Sequence, residues 1–264
     1  MFCTPKIGKT REVKEEMEAK AKKLLLVALD FPAVEPALAM VDKLPGFGFK
    51  VGKELYEVGG PEVVREIVAR GGQVFRDGKW HDIPNTVKGA AAAAARNGCS
   101  MCNIHFSDRA MTEAALEGVS VVGESERPKV LVVTVLTSIS DAILRDEVGI
   151  DRTVQEEVLR RAKLAQEWGA DGVVASPLET ALIREACGPN FLIVTPGIRQ
   201  ADGKMDDQKR AATPTAAIEN GASRLVIGRP ITAAPDPVAA AEAFVSEIAQ
   251  ALRREVSAHM CGND

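Results

Sequence analysis

The sequence predicts an α/β fold, a single (βα)8 TIM barrel. Short apolar runs rich in Val, Ile and Leu alternate with longer segments whose apolar residues recur at the helical period of about 3.6. This alternation is typical of repeated βα units, which build a parallel sheet. The chain has eight such apolar runs, and eight is the number of strands that closes a barrel.

The predicted strands and helices follow one another along the whole chain. The strands are LLLVAL (24–29), FGFKVG (47–52), QVFRD (73–77), MCNIHF (101–106), VLVVTVL (130–136), DGVVAS (171–176), FLIVTP (191–196) and SRLVIG (223–228). The helices are Val34–Leu44, Pro61–Arg70, Pro84–Asn97, Ala110–Leu116, Thr153–Trp168, Glu179–Ala186, Pro214–Asn220 and Pro237–Leu252. Proline near the start and glycine after the end support the helix Pro84–Asn97.

Three regions are predicted along the chain. Residues 1–22 form an N-terminal extension, which we expect to be helical because charges of both signs recur at helical spacing. Residues 23–254 form the barrel, and residues 255–264 form a C-terminal tail. The extension does not resemble a signal peptide, and no apolar run is long enough to span a bilayer. We therefore expect one barrel domain and no membrane partner.

Composition narrows the class of protein. The formal net charge is -4 and the Lys and Arg residues form no dense stripe, which argues against nucleic acid as a partner. The five cysteines are odd in number and scattered, which favours a reducing compartment, so we expect a cytoplasmic protein. Cys99 and Cys102 form a CxxC motif, but it runs into a strand and has no second ligand pair, so we interpret them as structural thiols.

Polar residues gather where the predicted strands end. A (βα)8 barrel carries its chemistry at the carboxyl ends of its strands and often binds phosphate after strands seven and eight. The residues at these ends are Asp30, Lys50, Asp77, Lys79, His105, Thr137, Ser138, Arg199 and Arg229. Together they predict one polar site at the mouth of the barrel.

The motif DxKxxD at the end of strand three is the densest of these groups. Asp77 and Lys79 are two residues apart, so on an extended strand both side chains would point into the mouth. Asp82 follows at the first turn of the next helix. Alternatives are a helix cap for Asp82 and a surface ion pair of little energetic value for Asp77 and Lys79. The polar residues at the other strand ends favour a functional site.

The motif RDGKWHDIPNTV (76–87) resembles the active-site signature of the orotidine 5'-phosphate decarboxylase family. Six further stretches resemble that family's motifs in the same order: ALD (28–30), KVG (50–52), VTVLTS (133–138), VTPGIR (194–199), DQKR (207–210) and VIGRPIT (226–232). The resemblance covers roughly 23–248. It implies a carboxy-lyase that converts orotidine 5'-phosphate to UMP and CO2, the last step of de novo pyrimidine synthesis, with no cofactor and no metal.

The resemblance also implies roles for individual residues. Lys50, Asp77, Lys79 and Asp82 would form an alternating charge array, with Lys79 as the proton donor to C6 of the pyrimidine. Asp82, Ile83 and Thr86 would reach into the neighbouring subunit's site, so the active unit would be a homodimer. The remaining substrate contacts would be Asp30 and Lys50 with the ribose, Thr137 or Ser138 with the base, Pro196 in the same site, and Arg199, Gln208, Gly228 and Arg229 with the phosphate.

Other functions are open to the same residues. A metal-dependent relative that acts on a keto-sugar phosphate shares DxKxxD but needs added carboxylates, which the strand ends do not obviously supply. A nucleotide-phosphate binding protein without activity would not need Lys79 or its aspartates. A Rossmann dinucleotide fold is disfavoured because no GxGxxG follows the first strand. We interpret His105 as a packing residue and the loop 200–212 as either a lid or a connector.

Overall fold

Eight parallel strands close a barrel in chain order, as the sequence predicts. This computed structural model describes residues 7–200 and 212–261. Each strand pairs with the next, and β1 also pairs with β8, so that Leu25 lies opposite Leu225. The strands are β1 Leu25–Ala28, β2 Gly48–Val51, β3 Gln73–Trp80, β4 Met101–His105, β5 Lys129–Val133, β6 Gly172–Val174, β7 Leu192–Thr195 and β8 Arg224–Ile227.

Helices surround the barrel and join successive strands. They are α1 Ile7–Leu24, α2 Val34–Lys43, α3 Lys53–Ala69, α4 Pro84–Arg96, α5 Arg109–Val119, α6 Asp141–Asp146, α7 Val154–Glu167, α8 Thr180–Cys187, α9 Pro214–Glu219, α10 Arg229–Thr232 and α11 Pro237–Cys261. The first helix, α1, lies against the last, α11. Among the described helices, none is both long enough and apolar enough to cross a membrane.

Several element boundaries differ from the sequence prediction. The predicted helix Pro61–Arg70 is the second half of α3, which begins at Lys53 and bends at Gly60, where φ is 55°. Glycine adopts that angle without steric cost. The two helical segments therefore join at a position where the sequence predicts the start of a new helix. Two short helices, α6 and α10, were not predicted, and α11 continues past the predicted end at Leu252.

The core has two layers. The larger layer lies between the strands and the helices, and includes Phe49, Ile67 and Phe244, each at most 1% exposed. The smaller layer fills the inside of the barrel with Leu26, Ala28, Phe75, Met101, Leu131, Val194 and Val226. Three of these, Ala28, Phe75 and Val226, also form the floor of a cavity at the carboxyl ends of the strands. The barrel is thus solid below and open above.

Candidate active site

A cavity of about 400 Å³ occupies the mouth of the barrel. Its walls come from the ends of β1, β2, β3, β5, β6, β7 and β8, so the closed barrel brings together residues that are far apart in the chain. Nine of the residues predicted from the sequence line it: Asp30, Lys50, Asp77, Lys79, Thr137, Pro196, Arg199, Gly228 and Arg229. The polar residues that follow the strands therefore lie together at the barrel mouth, where the sequence predicts them.

Charges of opposite sign alternate along one wall of the cavity. Lys50 Nζ lies 2.9 Å from Asp30 Oδ1 and 3.5 Å from Asp77 Oδ2, and Lys79 Nζ lies 2.6 Å from Asp77 Oδ1. Asp77 therefore stands between two ammonium groups. The Asp77 side chain is only 10% exposed, whereas that of Lys79 is 28% exposed. Of the two lysines in the array, Lys79 is the more accessible, since the Lys50 side chain is 11% exposed.

The carboxyl group of Asp77 is held in its charged form. Burial alone raises its pKa, but the charges of Lys50 and Lys79 and hydrogen bonds from Lys79 and Asn103 outweigh burial, so the pKa lies below its ordinary value. Asp77 is consequently a fixed negative charge that positions both lysines. Its charge does not depend on a bound ligand.

The backbone at Lys79 differs from the extended conformation assumed in the sequence analysis. Lys79 has φ 47°, in the left-handed region, and β3 shifts register against β4 between Arg76 and Trp80. A residue other than glycine is strained there, and such strain persists only when neighbouring groups hold it. The assumption of a regular strand end was wrong, although both side chains do line the cavity.

Asn103, which the sequence analysis did not select, secures this strained turn. Its Oδ1 accepts a 2.7 Å hydrogen bond from the backbone N–H of Lys79, and its Nδ2 donates at 2.7 Å to Asp77 Oδ1. Asn103 is fully buried on β4. A lone asparagine inside the apolar strand MCNIHF was the available signal, because a buried amide needs hydrogen-bond partners.

Two guanidinium groups and a glycine lie across the cavity from the lysines. Arg199 follows β7, and its Nη1 donates to the carbonyl oxygen of Ile198 at 2.9 Å. Within the described residues the buried Nε of Arg199 has no hydrogen-bond partner. Gly228 and Arg229 follow β8, and Thr232, which was not predicted, also lines this wall. Two fixed cations suit an anionic group such as phosphate.

Four predicted residues lie outside the cavity wall. Asp82, Ile83 and Thr86 are exposed at the start of α4, and Ser138 is exposed beyond Thr137. The Asp82 carboxylate accepts a 2.7 Å hydrogen bond from the N–H of Ile83, and Ile83 is the N-cap residue of α4. Asp82 is thus not the N-cap that the alternative interpretation envisaged. Gln208 lies outside the described residues.

The remaining reactive residue types are removed from the cavity. His105 packs near His81, with ring centroids 6.1 Å apart, and burial together with the charges of His81 and Lys79 lowers its pKa. Cys99 and Cys102 are buried free thiols, and burial raises the pKa of Cys99 to about 12. Neither forms a thiolate nucleophile at neutral pH. Across 7–200 and 212–261, no three His, Cys, Asp or Glu side chains are grouped as metal ligands would be.

The fold and the site together define a class of protein. An array of alternating lysines and aspartates lies at the mouth of a parallel α/β barrel, opposite two arginines, and this arrangement is typical of a barrel enzyme that binds a small anionic substrate. A family model narrows the class further and matches residues 23–244. The chain belongs to the orotidine 5'-phosphate decarboxylase / HUMPS family.

Individual relatives agree with this assignment. The chain is 51% identical over 242 residues to orotidine 5'-phosphate decarboxylase of Moorella thermoacetica, an alignment that covers 89% of this chain and 96% of the relative. It is 52% identical over 237 residues to the enzyme of the same name from Geotalea daltonii, covering 88% and 97%. The crystal structure of orotidine 5'-phosphate decarboxylase from Lactobacillus acidophilus superposes with a TM-score of 0.77 at 40% identity, covering 86% and 99%.

Proposed function

We propose that this protein is an orotidine 5'-phosphate decarboxylase, a carboxy-lyase that releases CO2 from orotidine 5'-phosphate and leaves UMP in pyrimidine biosynthesis. The observation that carries the proposal is the position of Lys79. Its ammonium group lies 2.6 Å from Asp77 in a cavity whose opposite wall carries Arg199 and Arg229. A phosphorylated substrate bound to those arginines can present its ring to the lysine.

The proposed chemistry begins with heterolysis of the bond between C6 and the carboxylate. Both electrons stay on C6 as CO2 departs, and this sp2 orbital cannot delocalise them into the ring. A fixed ammonium next to C6 stabilises the developing charge. Lys79 then transfers one N–H proton to C6, which completes UMP, and the resulting amine regains a proton from solvent.

Asp77 contributes mainly by positioning the lysines. Repulsion between Asp77 and the substrate carboxylate at about 4 Å amounts to about 4 kcal/mol at an effective dielectric constant of 20. A slow decarboxylation demands a reduction of the barrier on the order of 20 kcal/mol. Ground-state repulsion is therefore too small, and most of the acceleration comes from the preorganised charge array.

The other predicted residues bind the remainder of the nucleotide. Asp30 and Lys50, joined at 2.9 Å, are placed to contact the ribose hydroxyls. Thr137 lines the cavity and is the better placed partner for the base, since Ser138 is outside it. Pro196 forms part of the same wall. Arg199, Gly228 and Arg229 bind the phosphate together with Gln208, and this binding energy is used to order the charge array.

The active unit is proposed to be a homodimer in which Asp82 completes the partner's site. Asp82, Ile83 and Thr86 lie on the surface of their own chain, and Ile83 is 66% exposed. An exposed isoleucine next to an exposed carboxylate suits an interface between two copies, in which Ile83 packs and Asp82 enters the partner's site. The three free buried cysteines among the described residues suit the reducing cytoplasm as the place of action.

The first experiment follows the loss of orotate absorbance when purified protein meets orotidine 5'-phosphate in the presence of a chelator. We expect turnover by the wild type and none by Lys79→Ala. UMP binding by Lys79→Ala, measured by calorimetry, shows that the variant retains its fold and its phosphate site. Absence of turnover by folded wild type would overturn the proposed reaction, and loss of turnover with the chelator would indicate metal dependence.

Complementation between two variants tests the dimer. Lys79→Ala and Asp82→Asn are each expected to be inactive because every site lacks one member of the array. After subunit exchange, a mixed dimer has one intact site if Asp82 acts across the interface, so activity rises to about one quarter of wild type. If the mixture stays inactive while mass measurements show exchange, Asp82 does not act in the partner's site.

A further inference from the structure

A second cavity lies behind the strand that carries Asp77 and Lys79. It has a volume of about 190 Å³, is lined by α3, α4 and the outer face of β3, and opens to solvent beside Ala93. Asp77 and Lys79 line the barrel mouth, whereas Arg76 and Trp80 of the same strand line this second cavity. The reaction proposed above uses none of the residues in it.

Arg76 is a buried cation with little compensation. The residue is 6% exposed, and its guanidinium stacks on the ring of Tyr56 at 3.8 Å. Its Nη1 donates to the carbonyl oxygen of Val51 at a long 3.4 Å. In the part of the chain that the structure describes, no carboxylate lies within ion-pair distance of it. Burial lowers its pKa and outweighs the opposing effects of Tyr56, Cys99 and Asp77. A guanidinium in this setting favours an anionic partner.

The other walls suit a flat apolar body. Alanines of α4 and Val64 of α3 supply apolar surface, and the Trp80 indole closes one side. A Cβ at Gly78 would lie 2.6 Å from Trp80 Nε1, so glycine is required for the indole to lie along the strand. Asn97 adds a polar edge, and its Oδ1 accepts a 2.8 Å hydrogen bond from Arg65 Nη1.

The size of the cavity fits a single aromatic ring with a small substituent, because an apolar protein cavity of about 150 Å³ accommodates benzene. We propose that this second cavity binds a small aromatic carboxylate, with the carboxylate paired to Arg76 and the ring between Trp80 and the alanines of α4. The inference does not depend on the decarboxylation. It assigns β3 two functional faces, one for the substrate and one for this ligand.

Benzoate is the probe, and Trp80 is the reporter. The chain has two tryptophans, so Trp168→Phe leaves Trp80 as the only one. We expect benzoate to change the Trp80 emission saturably, and neutral benzamide to bind at least about tenfold more weakly, as expected for loss of a charge-assisted pair. Equal binding of benzoate and benzamide would overturn the role of Arg76.

Two matched substitutions separate the two cavities. Arg76→Met keeps the apolar stem and removes the charge, so benzoate affinity is expected to fall at least about tenfold. Arg229→Met makes the same change in the barrel mouth and is expected to leave benzoate affinity within about twofold. Loss of binding in Arg229→Met but not in Arg76→Met would place benzoate in the mouth instead and overturn the proposal.

Circular dichroism shows whether Arg76→Met is folded. If it is not, a third variant tests the same cavity. Ala93→Leu fills the second cavity and leaves Arg76 in place. We expect it to abolish the benzoate response while UMP still binds in the mouth. A normal benzoate response in folded Ala93→Leu would show that the ligand does not occupy this cavity.

Discussion

This protein has a carboxylate held between cations at the barrel mouth and another in the helical layer, and the two clusters differ in what their cations contact. At the barrel mouth, Asp77 lies between Lys50 and Lys79. On the helical layer, Glu157 of α7 is fully buried among arginines, with Oε1 2.7 Å from both Arg160 Nη2 and Arg161 Nε. Both carboxylates have a lowered pKa, Glu157 to about 2, because their cations outweigh the effect of burial.

The difference lies in the cations. Arg160 donates through Nε and Nη2 to the two carboxylate oxygens of Glu157. Arg161 donates through Nε to Glu157 and through Nη1 to the carbonyl oxygen of Thr134 at 2.6 Å, just after β5. These donors are directed at groups of the protein and not at a cavity. Lys79 is a point charge at the edge of a cavity and can still give a proton to a ligand. Under the proposed function, this difference in exposure and cation type is what allows the cluster at the barrel mouth to donate a proton while the helical cluster stabilises the fold.

The largest effect is expected when lysine and arginine are exchanged in the two clusters. Lys79→Arg keeps the charge, but a guanidinium stays protonated at any accessible pH. We expect kcat to fall by at least about 10³-fold, equivalent to about 4 kcal/mol. The matched change Arg161→Lys in the helical cluster should leave kcat within about twofold. A Lys79→Arg enzyme that retains a tenth of its activity would show that charge alone suffices.

Removal of the charge at Glu157 should affect stability rather than chemistry. Glu157→Gln leaves Arg160 and Arg161 without their carboxylate, so we expect the free energy of unfolding to fall by about 3 kcal/mol. Urea denaturation measures it. The control is Glu113→Gln, since Glu113 is 58% exposed and 3.8 Å from Arg109, and surface pairs of this kind contribute less than about 1 kcal/mol. Equal effects of the two changes would contradict the structural role of Glu157.

Acid should weaken the helical cluster over a defined range. Because the folded-state pKa of Glu157 is about 2 and its ordinary value is 4.5, its stabilisation is complete above pH 4.5 and is lost as the pH falls toward 2. We expect the difference in unfolding free energy between wild type and Glu157→Gln to narrow by about 2 kcal/mol between pH 6 and pH 3. A difference that stays constant with pH would contradict this assignment.

The last prediction concerns Asn103, the residue that supports the charge array at the barrel mouth. Asn103→Ala removes both hydrogen bonds that hold Lys79 and Asp77, so we expect kcat to fall about tenfold to a hundredfold, with a smaller change in KM. Steady-state kinetics measure both constants, and the exposed Asn190→Ala is the control. An unchanged kcat in Asn103→Ala would show that Lys79 is held in its left-handed conformation without Asn103.

The sequence was a good guide to features that repeat and a poor guide to contacts between distant residues. Eight apolar runs predicted eight strands, and the rule that strand ends meet at one mouth brought Asp30, Lys50, Asp77 and Lys79 together. The turn at Lys79 could not be predicted, because its strain is offset by Asn103 on another strand. Glu157 was missed because a glutamate among arginines on a helix looks like a solvated surface.

Asp82 marks a different limit of sequence reasoning. The family resemblance assigned it to the neighbouring subunit's site, and in the single chain it is exposed beside Ile83 at the start of α4. Whether it contributes to catalysis depends on the surface of a second copy. No pattern within one chain specifies that surface.

The seam that closes the barrel has a consequence for synthesis of the chain. There β1 pairs with β8 and α1 lies against α11, so Leu25 meets Leu225 only after nearly the whole chain exists. The lysines and aspartates leave the ribosome early, whereas Arg229 follows the last strand. An unfinished chain carries the lysines and aspartates but lacks β8 and Arg229, so we expect nucleotide binding only after the barrel has closed.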